Sequence, residues 1–125
     1  MPHKRYTTKL TDEEILALFQ EGGSYTADIE EGIVYSNKTG QPLFTFVGSE
    51  RSTAPYVRLY KNPAMRAIAV SRIIWIVATQ RAIPEGFQIH HRDRDPENNC
   101  FENLLALSDL DHDKVHREAV EEIPF

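Results

Sequence analysis

One stretch of this chain is apolar on every side: Ile73-Ile74-Trp75-Ile76-Val77-Ala78. A helix through it has no face to turn toward water, so whatever else the chain forms must bury it. The run is far too short to span a bilayer, which takes about 20 apolar residues. Ser71 is the expected cap, and the helix should reach about Gln80. A chain of 125 residues can build one domain with a single modest core around such a helix.

The flanking elements read as a covering for it. A helix is expected over residues 12–20, with Thr11 and Glu14 spaced as a capping box and Leu10 and Ile15 as the hydrophobic staple. Ile15, Leu16, Leu18 and Phe19 give it an apolar stripe, and Gly22-Gly23 should stop it. Residues 25–29 read as a short extended segment. A hairpin is then expected between residues 33–35 and 43–47, turning at 37–40. Residues 48–55 read as a polar loop. Residues 56–60 alternate as a half-buried strand should, and 67–70 can pair back. After the turn at Pro84-Glu85-Gly86, residues 87–90 and 104–107 read as two short strands around a polar loop. Ser108 or Asp109 should cap a last helix through about Val120. The fold expected is α+β: one domain over 1–125, with residues 1–85 as the N-terminal helix, hairpins and central helix, and 86–120 as a separate motif. No repeat or linker divides it.

Composition sets the surroundings. The single cysteine, Cys100, excludes an internal disulfide and a cysteine-rich zinc site, which suits a reducing compartment. The first residues carry no apolar core after their charges, as a secretory signal would. A cytoplasmic protein, without a membrane partner, is expected. Net charge is −5, which taken alone disfavours a nucleic-acid binder. The distribution differs: residues 51–94 carry a net +6 and are rich in arginine, the side chain suited to forked contacts with phosphate. Charge permits a nucleic-acid partner without requiring one, because arginines on separate strands are ordinarily just solvated.

The chemistry is concentrated near the C-terminus. Four of the five histidines lie between His90 and His116, with the polar loop from Arg92 to Asn99 and Asn103 between them. His112 and His116 are four apart, so on a helix they share one face. Such a pair is a natural half-site for a transition metal. His90 and His91 end a strand that can approach that helix. Neighbouring strand residues point to opposite faces, so these two should have different roles. A lone histidine is more often a surface or hydrogen-bonded residue than a ligand. A structural metal site of the histidine-rich finger type would usually include cysteine and leave no histidine spare.

The segment resembles the HNH endonuclease motif, in which a hairpin and a helix surround one metal ion. The matching residues are His90-His91, Asp93, Asn98-Asn99, Asn103-Leu104, His112 and His116. Residues 32–35, 39–40, 56–59 and 70–75 add a weaker resemblance to small phage HNH proteins of the homing type. The resemblance implies a C-terminal ββα-metal fold and a metal-dependent DNA endonuclease. It assigns His91 as the general base, His90 and His112 as metal ligands, and His116 as a third ligand or a phosphate contact. It makes Asn103 a structural partner that ties the loop and orients His91. Relatives usually carry glycine where Arg94 stands and often histidine where Ser71 stands.

The cofactor implied is one divalent metal ion. Imidazole donors suit Zn²⁺ or Ni²⁺ for tight binding, while Mg²⁺ or Mn²⁺ can support turnover through phosphate oxygens. Arg92, Arg94, Lys114 and Arg117 near the motif, with Arg58, Lys61 and Arg72 further out, are the expected nucleic-acid contacts. A protein partner or homodimer could add specificity. The alternatives are a catalytically silent HNH-like module that binds metal and nucleic acid, and a nuclease acting on RNA.

Overall fold

The computed structural model describes residues 10–49, 52–62 and 64–108. The expected last helix, with its histidines, lies outside them. Helix α1 (Asp12–Leu18) opens on a complete capping box: Thr11 Oγ1 accepts from the Glu14 N–H at 3.1 Å, and Glu14 Oε1 accepts from the Thr11 N–H at 2.9 Å. Two of the orphan donors of the first turn are thereby satisfied. Ile15, fully buried, points into the core.

Strands β1 (Tyr25–Asp28) and β2 (Ile33–Ser36) pair antiparallel, Tyr25 opposite Ser36. The hairpin therefore forms one element earlier than the sequence suggested. Its turn is closed by Asp28, whose Oδ1 accepts from the N–H groups of Glu30 and Glu31 at 3.1 Å, and whose carbonyl accepts from Gly32 N–H at 2.7 Å. The expected partner of β2 returns beside it only as a single bridge between Tyr35 and Pro42. Two backbone bonds hold it, from the Ser36 N–H to the Gln41 carbonyl at 2.9 Å and from the Leu43 N–H to the Val34 carbonyl at 2.8 Å.

Instead β3 (Phe46–Ser49), β4 (Ser52–Lys61) and β5 (Ala64–Ala69) form a second antiparallel sheet in that order. Phe46 lies opposite Tyr56, and Tyr56 opposite Ala69. Much of the expected polar loop 48–55 is thus strand. Its small polar residues lack an apolar alternation, but their backbone groups find partners across β3 and β4.

Helix α2 (Val70–Thr79) follows β5 without a connection. Ala69, not Ser71, is the residue at its N-cap, and it supplies no side-chain cap. The ladder with β4 runs to Ala69, so the chain passes straight from strand to helix and Ser71 falls inside the first turn. The helix ends at Gln80, at a left-handed φ of 58°, whose N–H donates to the Ile76 carbonyl at 2.8 Å. Val70, Ile73, Ile74, Trp75 and Ile76 are buried among Ile15, Val34, Val57, Leu59, Ile68 and Leu104. Helix α2 touches α1 and strands of all three sheets. The third sheet is the hairpin of β6 (Phe87–His91) and β7 (Leu104–Ser108), with a 3-10 turn at Phe101–Asn103 leading into β7. Among the described residues no helix is long and apolar enough to cross a membrane.

One carboxylate joins the two helices. Asp12 pairs with the Arg72 guanidinium through Oδ1, and its Oδ2 accepts from the Ile83 N–H at 2.8 Å. The Asp12 side chain is only 11% exposed, so its loss leaves a half-buried N–H with no acceptor. Asp12→Ala should cost about 1–3 kcal/mol, read as a lower midpoint in urea with an unchanged slope.

Candidate active site

Strands β6 and β7 place the histidine pair. His90 lies opposite Leu105 and His91 opposite Leu104. Strand alternation sends them to different faces. His90 is 8% exposed, with Nε2 shut off from solvent, whereas His91 is half-buried. The buried imidazole and the accessible one are therefore chemically distinct positions.

Between the strands, residues 92–100 form a loop folded around Asp93. Its Oδ1 accepts from the Asp95 N–H at 2.8 Å and from Asn103 Nδ2 at 2.9 Å, and its Oδ2 accepts from Asn98 Nδ2 at 2.8 Å. Asn103, 8% exposed, completes the clasp: its Oδ1 accepts from the Asp93 N–H at 3.1 Å, and its Nδ2 also donates to the Asn98 carbonyl at 2.8 Å. These donors favour the carboxylate over the neutral acid. The Asn98 amide foremost, then the Asp95 N–H, with Asn103 and the His91 ring adding to them, hold Asp93 below the usual aspartate range.

The ring of His91 is held by a different residue from the one expected. Its Nε2 lies 2.8 Å from Oδ1 of Asn99, and Asn99 Nδ2 donates to the Pro96 carbonyl at 3.3 Å. Asn103 ties the loop; Asn99 meets the imidazole. The sequence signal for Asn99 was only its place in the Asn98-Asn99 pair, which gives no direction for either side chain.

Arg94 adopts φ 65°, a left-handed conformation that costs a non-glycine residue roughly 1–2 kcal/mol. A glycine here would take the same conformation without that cost. Arg92 and Arg94 are exposed on the loop. Arg58 stands on β4 with its guanidinium 4.2 Å from the centre of the Phe46 ring, and Lys61 is exposed at the end of that strand. Arg72 shares its charge with Asp12. His112, His116, Lys114 and Arg117 lie outside the described residues. A cleft of about 480 Å³ opens between β3, β4 and the loop, with Phe46, Thr53, Glu97 and Asn99 among its walls.

For a metal ion the described residues offer one suitable donor, the buried imidazole of His90. No three His, Cys, Asp or Glu side chains among them come together as a cluster. Asp93 has both oxygens committed to loop donors and serves as a clasp. A buried imidazole such as His90 is the donor chemistry a divalent transition ion takes, so the residues present fit such an ion as one side of its coordination.

The comparisons agree with this architecture. Residues 69–114 match the family model described as HNH endonuclease, a span that takes in α2, β6, the loop and β7. Comparison with curated proteins gives no match. Among solved structures, "DNA binding and cleavage by the HNH homing endonuclease I-HmuI" is similar, with a TM-score of 0.62 and 23% identity over 81% of this chain. The match covers 55% of that protein's chain, so this chain corresponds to about half of its length. The two share a fold, a small mixed domain of helices and strands, and the match to the HNH endonuclease family model rests on residues 69–114.

Two outcomes are expected at the loop. Arg94→Gly should stabilise the protein by about 1 kcal/mol, since glycine takes the left-handed conformation without strain, seen as a rise of a few degrees in Tm. The depressed Asp93 pKa means the folded state prefers the carboxylate. Its contribution is present above the unfolded aspartate value, about 3.9, and is lost as pH falls through the lower folded value. Protection of the Asp95 amide hydrogen, its exchange rate taken relative to the intrinsic rate at each pH, should accordingly fall in that acid window, and an Asp93→Ala protein should show low protection with no such step.

Proposed function

We propose that this protein is a metal-dependent endonuclease that hydrolyses phosphodiester bonds of DNA, with His91 as general base. The carrying observation is the bond from His91 Nε2 to Asn99 Oδ1 at 2.8 Å. An amide oxygen only accepts, so Nε2 bears the hydrogen and the neutral ring keeps its lone pair on Nδ1. A half-buried imidazole held in this form is suited to take a proton from water. The water oxygen then bonds to phosphorus, the bond from phosphorus to the 3′ oxygen breaks, and the proton rests on Nδ1. General-base assistance of this kind is worth roughly 10²–10⁴-fold.

His90 and His112 would hold the metal ion, with His116 as a third ligand or a contact to the scissile phosphate. When bound, a divalent ion stabilises charge growing on the phosphate and the leaving oxygen. Asn103 keeps the loop, and hence the His91 backbone, in register. HNH nucleases generally use a divalent metal, and Mg²⁺ or Mn²⁺ suit turnover while Zn²⁺ or Ni²⁺ suit tight binding. DNA as the partner draws support from the similar structure, described as DNA binding and cleavage by an HNH homing endonuclease. The exposed Arg92 and Arg94 flank the site as phosphate contacts, with Lys114 and Arg117 to their C-terminal side. Arg58 and Lys61 extend the surface along β4. Arg72 is the weakest of these candidates, because its charge is already paired with Asp12.

The test is cleavage of supercoiled plasmid. Wild type should nick or linearise it with Mg²⁺ or Mn²⁺ and stop with EDTA, while a folded His91→Ala protein should lose at least about 100-fold. No cleavage with any divalent ion, alongside metal and DNA binding, would instead favour a silent HNH-like module. Arg92→Gln with Arg94→Gln should weaken DNA binding and flatten its salt dependence, by about one unit of slope per lost phosphate contact.

A further inference from the structure

We propose that Asn99 is a positioning residue for His91, and that the turn between β1 and β2 holds Asn99 in place. The proposal rests on the reading of His91 as the base and adds what makes it one. Asn99 is 4% exposed, so its amide cannot be satisfied by bulk water and must be placed by the protein. Donation from Nδ2 to the Pro96 carbonyl at 3.3 Å turns Oδ1 toward the imidazole, where it meets Nε2 at 2.8 Å. That single contact selects the tautomer and limits rotation of the ring.

The backbone of Asn99 is fixed from a distant part of the chain. Gly32, at φ 73°, lies so close that a Cβ built on it would stand 2.5 Å from the Asn99 carbonyl carbon and 2.7 Å from its oxygen. One residue past Cys100, the Phe101 N–H donates to the Ile29 carbonyl at 2.8 Å. The β1–β2 turn therefore holds the strip from Asn99 to Phe101 at both of its ends. The Asp93–Asn103 clasp holds the near end of the loop. The turn holds the far end, where the residue that touches the base sits.

Long-range ¹H–¹⁵N spectra of the His91 imidazole in the metal-free full chain, at a pH where the ring is neutral, read the contact without activity. Plasmid cleavage then reads its consequence. Wild type should show the Nε2–H form. Asn99→Leu, which keeps the volume and removes the acceptor, should show mixed tautomers and a kcat lower by roughly 10- to 100-fold, within the worth of a general base, with KM little changed. Asn99→Asp restores an acceptor and should recover both the Nε2–H form and most of kcat. Gly32→Ala, kept only if its melting curve shows a folded protein, should move in the direction of Asn99→Leu. If the leucine protein does not fold, Asn99→Ala takes its place.

An Asn99→Leu protein that keeps the Nε2–H form, or that loses it without a fall in kcat, would overturn the proposal. A folded Gly32→Ala protein with unchanged spectra and kcat would overturn the part played by the turn. Failure of the underlying reading looks different: His91→Ala would then cleave as well as wild type, whatever the spectra show for Asn99.

Discussion

Helix α2 buries Val70, Ile73, Ile74, Trp75 and Ile76, and most of the molecule can be understood as a response to that. Its residues Ile73, Ile74 and Ile76 are fully buried, and each neighbour contributes what its own pattern allows. Helix α1 brings Ile15, the second sheet brings Val57, Leu59 and Ile68, and β7 brings Leu104. Burying one such side chain stabilises by roughly 1.5–3 kcal/mol, so together these contacts outweigh any local preference of the elements involved. The helix thereby becomes a fixed post against which three otherwise separate sheets are set.

The candidate active site depends on that post. Leu104 packs into the core and lies opposite His91 in the β6–β7 ladder, so the position of the proposed base is set by an apolar contact one strand away. His90 and His91 then take opposite faces because a strand permits nothing else. The loop between the strands has little apolar content and is ordered instead by carboxylate and amide groups. Asp93 and Asn103 bond each other in both directions, which closes the loop at its base and leaves the exposed arginines on the outside.

The N-terminal half contributes to the site as well as to the core. The turn after β1 reaches the loop through Gly32 and the Ile29 carbonyl. Residues near position 30 and residues near position 100 thus form one small contact region, and Asn99 is its meeting point with the imidazole. Arg94, held in a conformation that favours glycine, is the place where this loop carries backbone strain. Both features concern a few ångströms of backbone placement.

The sequence by itself determined the periodic elements and the chemistry-bearing residues. The capping box at Thr11 and Glu14, the buried helix, the strands β4 to β7 and the His-Asn-His pattern were legible because they follow local rules: spacing, alternation and side-chain type. Tertiary structure decided the pairings. Strand β2 chose β1 over the segment after Pro42, β3 joined β4 across what read as loop, and α2 began at Val70 because a ladder delivered the chain there. It also decided that Asn99 meets His91 while Asn103 clasps Asp93. Adjacent amides in a polar loop are equivalent in sequence, and only the backbone path, fixed by contacts some seventy residues apart in the chain, gives each a direction.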